Sequence, residues 1–178
     1  MKRSVFLFLL FLLGFQLKAQ INNIFPELSG NTLQGKEVIL PVSTNGKYTI
    51  IGMAYSQKSD EDLRTWYQPV YDTFIDKTGF FNYDVHMYFI PMVTGVKQVA
   101  AETIEKKLKQ STDPQLYANV LFFKGSIDAY KKPLNFDGKD KPYFYILDEK
   151  GIIVYFTSGE YNARKMEEIE AILADFLN

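Results

Sequence analysis

The chain has no cysteine in its 178 residues and a single histidine, His86. The first absence excludes disulfides, thiolate nucleophiles and cysteine metal ligands. Disulfide exchange and cysteine-based peroxide reduction are thereby closed to it, because a hydroxyl is far too weak an acid to replace the attacking thiolate. The second absence leaves carboxylates as the available metal ligands, which suit Ca²⁺ or Mg²⁺. Neither sign of charge dominates: 20 Lys+Arg stand against 21 Asp+Glu, a net charge of −1. A nucleic-acid partner, which favours a basic surface, is not expected. The apolar stretch Val5–Phe15 is shorter than the ~20 residues that a membrane-spanning helix needs.

That stretch has another use. Lys2 and Arg3 precede it, and "QLKAQ" follows with the small Ala19 near its end. A charged start, a short apolar run and a small residue at the cut form a secretory signal. Residues 1–19 are expected to be removed and residues 20–178 to form one domain, although Leu17 is bulky for a position two before the cut. Removal takes away Lys2, Arg3 and Lys18, so Lys+Arg falls from 20 to 17 against 21 acids, and the net charge becomes −4. A lipid-modified bacterial N-terminus is excluded, since no cysteine follows the run. The expected location is the periplasm or the extracellular space, with no stable membrane insertion after the signal is gone.

What is present is apolar and aromatic: 47% hydrophobic residues, with 15 Phe and 12 Tyr. This suffices for one ordinary core and argues against disorder. In "FPELSGNTLQGKEVIL" (25–40), Leu33–Lys36 reads as a turn between two short extended pieces. Asn45-Gly46 is a further turn signal. Residues 48–55 ("YTIIGMAY") read as a buried strand that runs directly into a helix. Ser59 suits that helix's N-cap, bonding a free N–H near Asp62, and the acids Asp60, Glu61 and Asp62 suit its first turn. Leu63, Trp66, Tyr67, Val70, Tyr71 and Phe74 form its apolar stripe, with a kink expected at Pro69. "VHMYFIPMV" (85–93) and "NVLFFKG" (119–125) read as strands. Between them lies a helix over 97–110 with Val99, Ile104 and Leu108 on one side. "PYFYILD" and "IIVYFTSG" flank Glu149-Lys150-Gly151 as a hairpin. "NARKMEEIEAILADFL" closes the chain as a helix, with Met166, Ile169, Leu173 and Phe176 inward. The order β-α-β-α-β, hairpin, helix implies an α/β fold with a mixed central sheet flanked by helices.

Two readings are open for Ser56 and Ser59 at the strand–helix corner. Structural capping is the simpler. A hydrolytic nucleophile needs a positioned base, and His86 lies on a different strand with no motif linking it to either serine. "GMAYS" is not the G-x-S-x-G elbow. Asp60, Glu61 and Asp62 read as a solvated helix start, and "DGKDK" (137–141) as a turn without the later Glu of a calcium loop, so no metal and no other cofactor is expected. Trp66 reads as core. Tyr55, Tyr143 and Tyr161 flank strand ends and are expected near the corner, with residues 124–141 as a long polar loop suited to recognition.

The corner, the Pro-kinked helix, the lead-in "FPELSGNTLQGKEVIL" and the hairpin "KDKPYFYILDEKGIIVYFTSG" together resemble the thioredoxin-like superfamily in its redoxin or peroxiredoxin-like style. Within it, "DLRTWYQPVYDTF" and "KPYFYILDEKGIIVYFTSGEYNARKMEEI" are most similar to the mitochondrial ATP synthase assembly-factor family. The resemblance implies a thioredoxin-like three-layer sandwich over residues 20–178. It maps the superfamily's redox cysteines onto Ser56 and Ser59, as degenerate positions. It implies a cis Lys141–Pro142 bond facing the corner, and a binding groove formed by Tyr55, Ser56, Gln57, Lys58, Lys141, Pro142 and Tyr143. In that superfamily the groove pairs with extended peptide backbone. The expected function is an exported, redox-inactive protein- or peptide-binding module, an assembly helper rather than an enzyme. The alternative is a non-redox enzyme that takes a small molecule in the groove beside Pro142. A third reading is a domain kept for packing in an envelope complex.

Overall fold

The computed structural model describes residues 20–76 and 83–177, with side chains through 175. The expected signal 1–19 and the side chain of Phe176 lie outside the described residues. Seven strands form one mixed sheet in the order β2-β1-β5-β4-β3-β6-β7. They are β1 (Leu28–Thr32), β2 (Glu37–Leu40), β3 (Thr49–Ala54), β4 (His86–Val93), β5 (Leu121–Lys124), β6 (Tyr143–Leu147) and β7 (Ile153–Ser158). β3, β4 and β5 run parallel, and β6 and β7 add antiparallel strands at one side. The β1–β2 hairpin, turning at Leu33–Lys36 as expected, extends the other side.

Alternation along the central strands sorts side chains onto two faces. Ile50, Phe89, Phe144 and Ile146 face α1 (Gln57–Arg64), α2 (Tyr67–Val70), α3 (Ala101–Ser111) and α5 (Ala163–Leu177), which supply Leu63, Val70, Leu108, Met166, Ile169 and Leu173, with Trp66 between α1 and α2. Ile51, Met53, Tyr88, Ile90, Tyr143 and Tyr145 face the opposite layer. There Phe25, Leu134 and Tyr130 of the short α4 (Asp128–Lys131) cover the sheet. Both β3→α1→β4 and β4→α3→β5 advance toward the same edge of the sheet. Right-handed crossovers therefore place both helices on one face.

The hairpin at 149–151 follows from its residues. Asp148 Oδ1 accepts from Lys150 N at 2.9 Å and Ile152 N at 2.8 Å, and Gly151 takes the left-handed conformation at φ +79°. This is a three-residue loop closed by a glycine, the bulged form of hairpin turn. Pro69 acts where its chemistry requires. Its ring clashes with the carbonyl four residues earlier, and the helix breaks at Thr65–Trp66, where i→i+3 bonds tighten the backbone. Beyond α2 the chain continues as a π-helical turn, Tyr71–Ile75.

One expectation fails in this layer. Val99 was to face inward, yet Val96 and Val99 are 92% and 95% exposed. Residues 95–100 form a 3₁₀ helix, which repeats every three residues, so Val96 and Val99 eclipse each other off the stripe. The α-helical face begins with Ala101, Ile104 and Leu108.

Gly52 sets how closely α1 lies on the sheet. A methyl group there would meet the Phe144 ring at 2.6 Å and Leu63 Cδ1 at 2.9 Å. Both neighbours are buried, so neither has room to give. Gly52→Ala is expected to destabilise the protein by about 1–3 kcal/mol, as overpacked cores do. Denaturant unfolding measures it, and an unchanged midpoint would show that α1 does not sit this close.

Candidate functional site

β3 ends at Ala54, and the chain turns into α1 through Tyr55 and Ser56. The helix starts one turn earlier than the sequence suggests, so Ser56 is the N-cap and Ser59 the third helical residue. Ser56 Oγ accepts from Ser59 N at 3.1 Å. Ser59 Oγ, fully buried, accepts in return from Ser56 N at 2.9 Å and from Tyr55 N at 3.1 Å. This is a capping box with serine in place of the usual Glu or Gln. The expected bond from Ser59 to an N–H near Asp62 is thus corrected. Ser59 reaches back because the first turn already surrounds it.

The hydroxyl protons are equally committed. Ser59 Oγ donates to Ser56 O at 3.1 Å, and Ser56 Oγ donates to Lys139 O at 2.6 Å. Neither serine faces a base. His86 pairs with Thr49 at the start of β3, whereas Ser56 lies past its end, about 20 Å away at ~3.3 Å per strand residue. Burial, and then the charge of Lys47, lower the His86 pKa.

The side of the corner next to Pro142 is filled by the chain itself. Lys141–Pro142 is trans, and the cis bond among the described residues is Leu40–Pro41. The β3–β6 register brings Pro142 beside Ala54, as the resemblance implied, but Pro142 is buried. Tyr143 is buried too, and its hydroxyl lies 2.7 Å from Asp137 Oδ1 and accepts from Gly138 N at 2.8 Å. The Tyr55 hydroxyl donates to Gly138 O. Phe136 stacks on Tyr55 at 5.3 Å and lies 4.5 Å from the Tyr143 ring. Lys141 pairs with Asp137 at 2.9 Å and lies over the Tyr143 ring. These bonds to Tyr143 and Lys141 hold the Asp137 carboxyl below its usual pKa. Burial, followed by the bond to Asp137, raises the Tyr143 phenol. Residues 136–141 therefore fold back over the corner, and Pro142 and Tyr143 do not line an open groove. Lys58 turns away along α1 to Asp62. Tyr161 packs edge-on against Trp66 at 5.5 Å, while Trp66 is core, donating from Nε1 to Gly159 O at 3.1 Å.

The open space lies on the other side of Tyr55–Gln57. A cleft of about 620 Å³ extends beyond the C-terminal ends of β3 and β4, between α1 and α3. Crevices outside the carboxyl ends of parallel strands are where α/β folds bind ligands. Its apolar lining comes from Ala54, Pro91–Val93, Ile104, Leu108 and Phe122, and its polar lining includes Asp60, Arg64, Lys97, Lys107 and Ser111. Arg64 Nε binds Asp60 Oδ2 at 3.0 Å, and its Nη1 reaches Ser111 Oγ at 3.3 Å. Asp60 Oδ1 and the Tyr67 hydroxyl are buried without hydrogen-bond partners among the described residues. Burial, then the Asp60 charge, raise the Tyr67 phenol. Asp60, Glu61 and Asp62 make no shared site, because each is engaged on its own helix, with Arg64, Gln57 and Lys58 respectively. Among the described residues no group of three or more His, Asp or Glu is placed to hold a metal, and no helix is long and apolar enough to cross a membrane. Neither Lys97 nor Lys107 carries a sequence signal for this cleft, because they lie ten residues apart in separate elements.

Removing Ser59 Oγ would leave two backbone donors without an acceptor, one of them at a buried helix start. Ser59→Ala is expected to destabilise by about 1–3 kcal/mol. Ser56→Ala, which loses one cap bond and the bond to Lys139 O at a more accessible position, is expected to cost about 1 kcal/mol. Chemical denaturation of the two variants measures the order, and Ser56→Ala exceeding Ser59→Ala would contradict this hydrogen-bond assignment.

The fold has many solved counterparts, among them several of low sequence identity. The exposed lipoprotein thioredoxin Etrx1 of Streptococcus pneumoniae superposes with a TM-score of 0.57 at 16% identity, covering 84% of this chain and 99% of its own. A thiol:disulfide interchange protein from Bacteroides sp. gives 0.55 at 15%, covering 86% and 90%. StoA of Bacillus subtilis gives 0.52 at 19%, covering 84% and 97%. The architecture is therefore thioredoxin-like, as the sequence resemblance implied. No curated protein matches the chain. The family described as "ATP10 protein" matches residues 16–174, nearly the whole length, and the chain belongs to that family.

Proposed function

We propose that this protein is an exported, redox-inactive member of its assembly-factor family that binds a protein or peptide partner. The carrying observation is the corner. The serines onto which the resemblance maps a redox-active relative's thiols send their protons to backbone carbonyls, so the corner offers neither a thiolate nor an activated hydroxyl. An open cleft begins at the same corner. Binding without turnover accounts for both. Of the expected groove, Tyr55, Ser56 and Gln57 remain as lining of that cleft, while Lys141 and Tyr143 hold the loop over the corner and Pro142 is buried. Export is supported by the charged start and short apolar run at 2–15.

Two outcomes are expected. Intact-mass measurement of the protein isolated from its native cells should show the loss of residues 1–19, and a full-length membrane-embedded species would contradict export. The Ser56→Ala/Ser59→Ala double variant, compared at equal amounts of folded protein, should retain complementation of a deletion strain. Complete loss of complementation by well-folded double variant would return the serines to a chemical role.

A further inference from the structure

The cleft beyond β3 and β4 combines surfaces of opposite character. Its floor is apolar, with Val93, Ile104, Leu108 and Phe122. Its cations come from three separate elements: Arg64 on α1, Lys97 on the 3₁₀ helix and Lys107 on α3. Asp60 is the one acid in the lining, and Arg64 already pairs with it. Lys97 and Lys107 are exposed and have no ion pair among the described residues. With residues 1–19 removed, as proposed above, the chain is acidic overall, so two unpaired lysines beside one cleft stand against the general charge. Next to Lys97, Val96 and Val99 are nearly fully exposed, extending apolar surface beyond the cleft.

We infer that this cleft binds an extended peptide segment carrying acidic side chains among apolar ones. The inference rests on the peptide-binding reading above and names the partner's chemistry. Charge complementarity supplies the acids and the floor supplies the apolar residues. The separation of the cations over three elements suits a chain with spaced charges better than a single carboxylate. The cleft volume falls within the ~300–1,000 Å³ of sites that enclose ligands of a few residues' size.

The test uses the tagged chain, isolated as the cell makes it, to select from a random 12-residue phage-displayed peptide library. Selected peptides are then synthesised and titrated by fluorescence anisotropy against wild type, Lys97→Gln/Lys107→Gln and Lys97→Glu/Lys107→Glu. Both lysines are exposed, so the variants should fold, which circular dichroism and unfolding midpoint verify. The expected result is enrichment of peptides with Asp or Glu beside large apolar residues. Charge reversal should weaken them at least about 10-fold and neutralisation less, with the wild-type affinity falling as salt rises. Peptides enriched without acids, or bound equally by the reversed variant, would overturn the cleft assignment and leave peptide binding in place. Selection of no peptide at all would overturn both readings. A small carboxylate retained by the wild type in native mass spectrometry, and lost from the reversed variant, would overturn the peptide in favour of a small ligand.

Discussion

Two hydroxyl groups hold the junction on which the candidate site depends. Ser56 and Ser59 each satisfy the other's backbone N–H, and Ser59 also takes the N–H of Tyr55. These donors lie at the end of a fully buried strand, where an unmet N–H is expensive. The cap fixes the direction in which α1 leaves β3. Gly52 then lets Leu63 settle against Phe144. That placement brings Asp60 and Arg64 to one wall of the cleft. The second donor of the corner, Ser56 Oγ–H, ties down Lys139 and with it the loop that closes the Pro142 side. Local capping, helix docking and the choice of open side are one connected arrangement.

The two sides of the corner differ for a reason visible in their residues. On the Pro142 side, Phe136, Tyr55 and Tyr143 form an aromatic layer whose hydroxyls bond to residues 137 and 138. Aromatic burial with satisfied hydroxyls favours a closed loop. On the β4 side, the 3₁₀ turn presents Lys97, and α3 presents Lys107, neither of which can be buried without a partner. Long cations with apolar stems keep their charge in water while covering apolar surface. Such a margin is consistent with the open cleft seen on this side.

Much of the fold was legible in the sequence because its signals are local. The Glu149-Lys150-Gly151 hairpin, the break ahead of Pro69 and the apolar runs of β3, β4 and β6 each depend on a few adjacent residues. The Trp66 stripe was read correctly for the same reason. The capping serine was misplaced by one turn, since Gln57 and Lys58 carry no apolar periodicity to announce the helix. Ser-x-x-Ser was itself the available signal, as a capping box with an unusual third residue. Val99 was misread because 3₁₀ and α periods differ too little to separate over six residues. The fold-back of residues 136–141 depends on contacts with Tyr55 some 80 residues earlier in the chain. The cleft is assembled from four distant segments, so no local pattern could show that Lys97 and Lys107 share it.

The central claim is that the serine corner belongs to the structure rather than to a reaction. Native-state amide hydrogen exchange tests it most directly, because bonded and buried N–H groups exchange only through opening of the fold. The account predicts that the amides of Tyr55, Ser56 and Ser59 exchange as slowly as those of Ile51 and Met53 in β3. Exchange of these three at the rate of an exposed loop, with β3 still protected, would show an open corner with free hydroxyls and would contradict it.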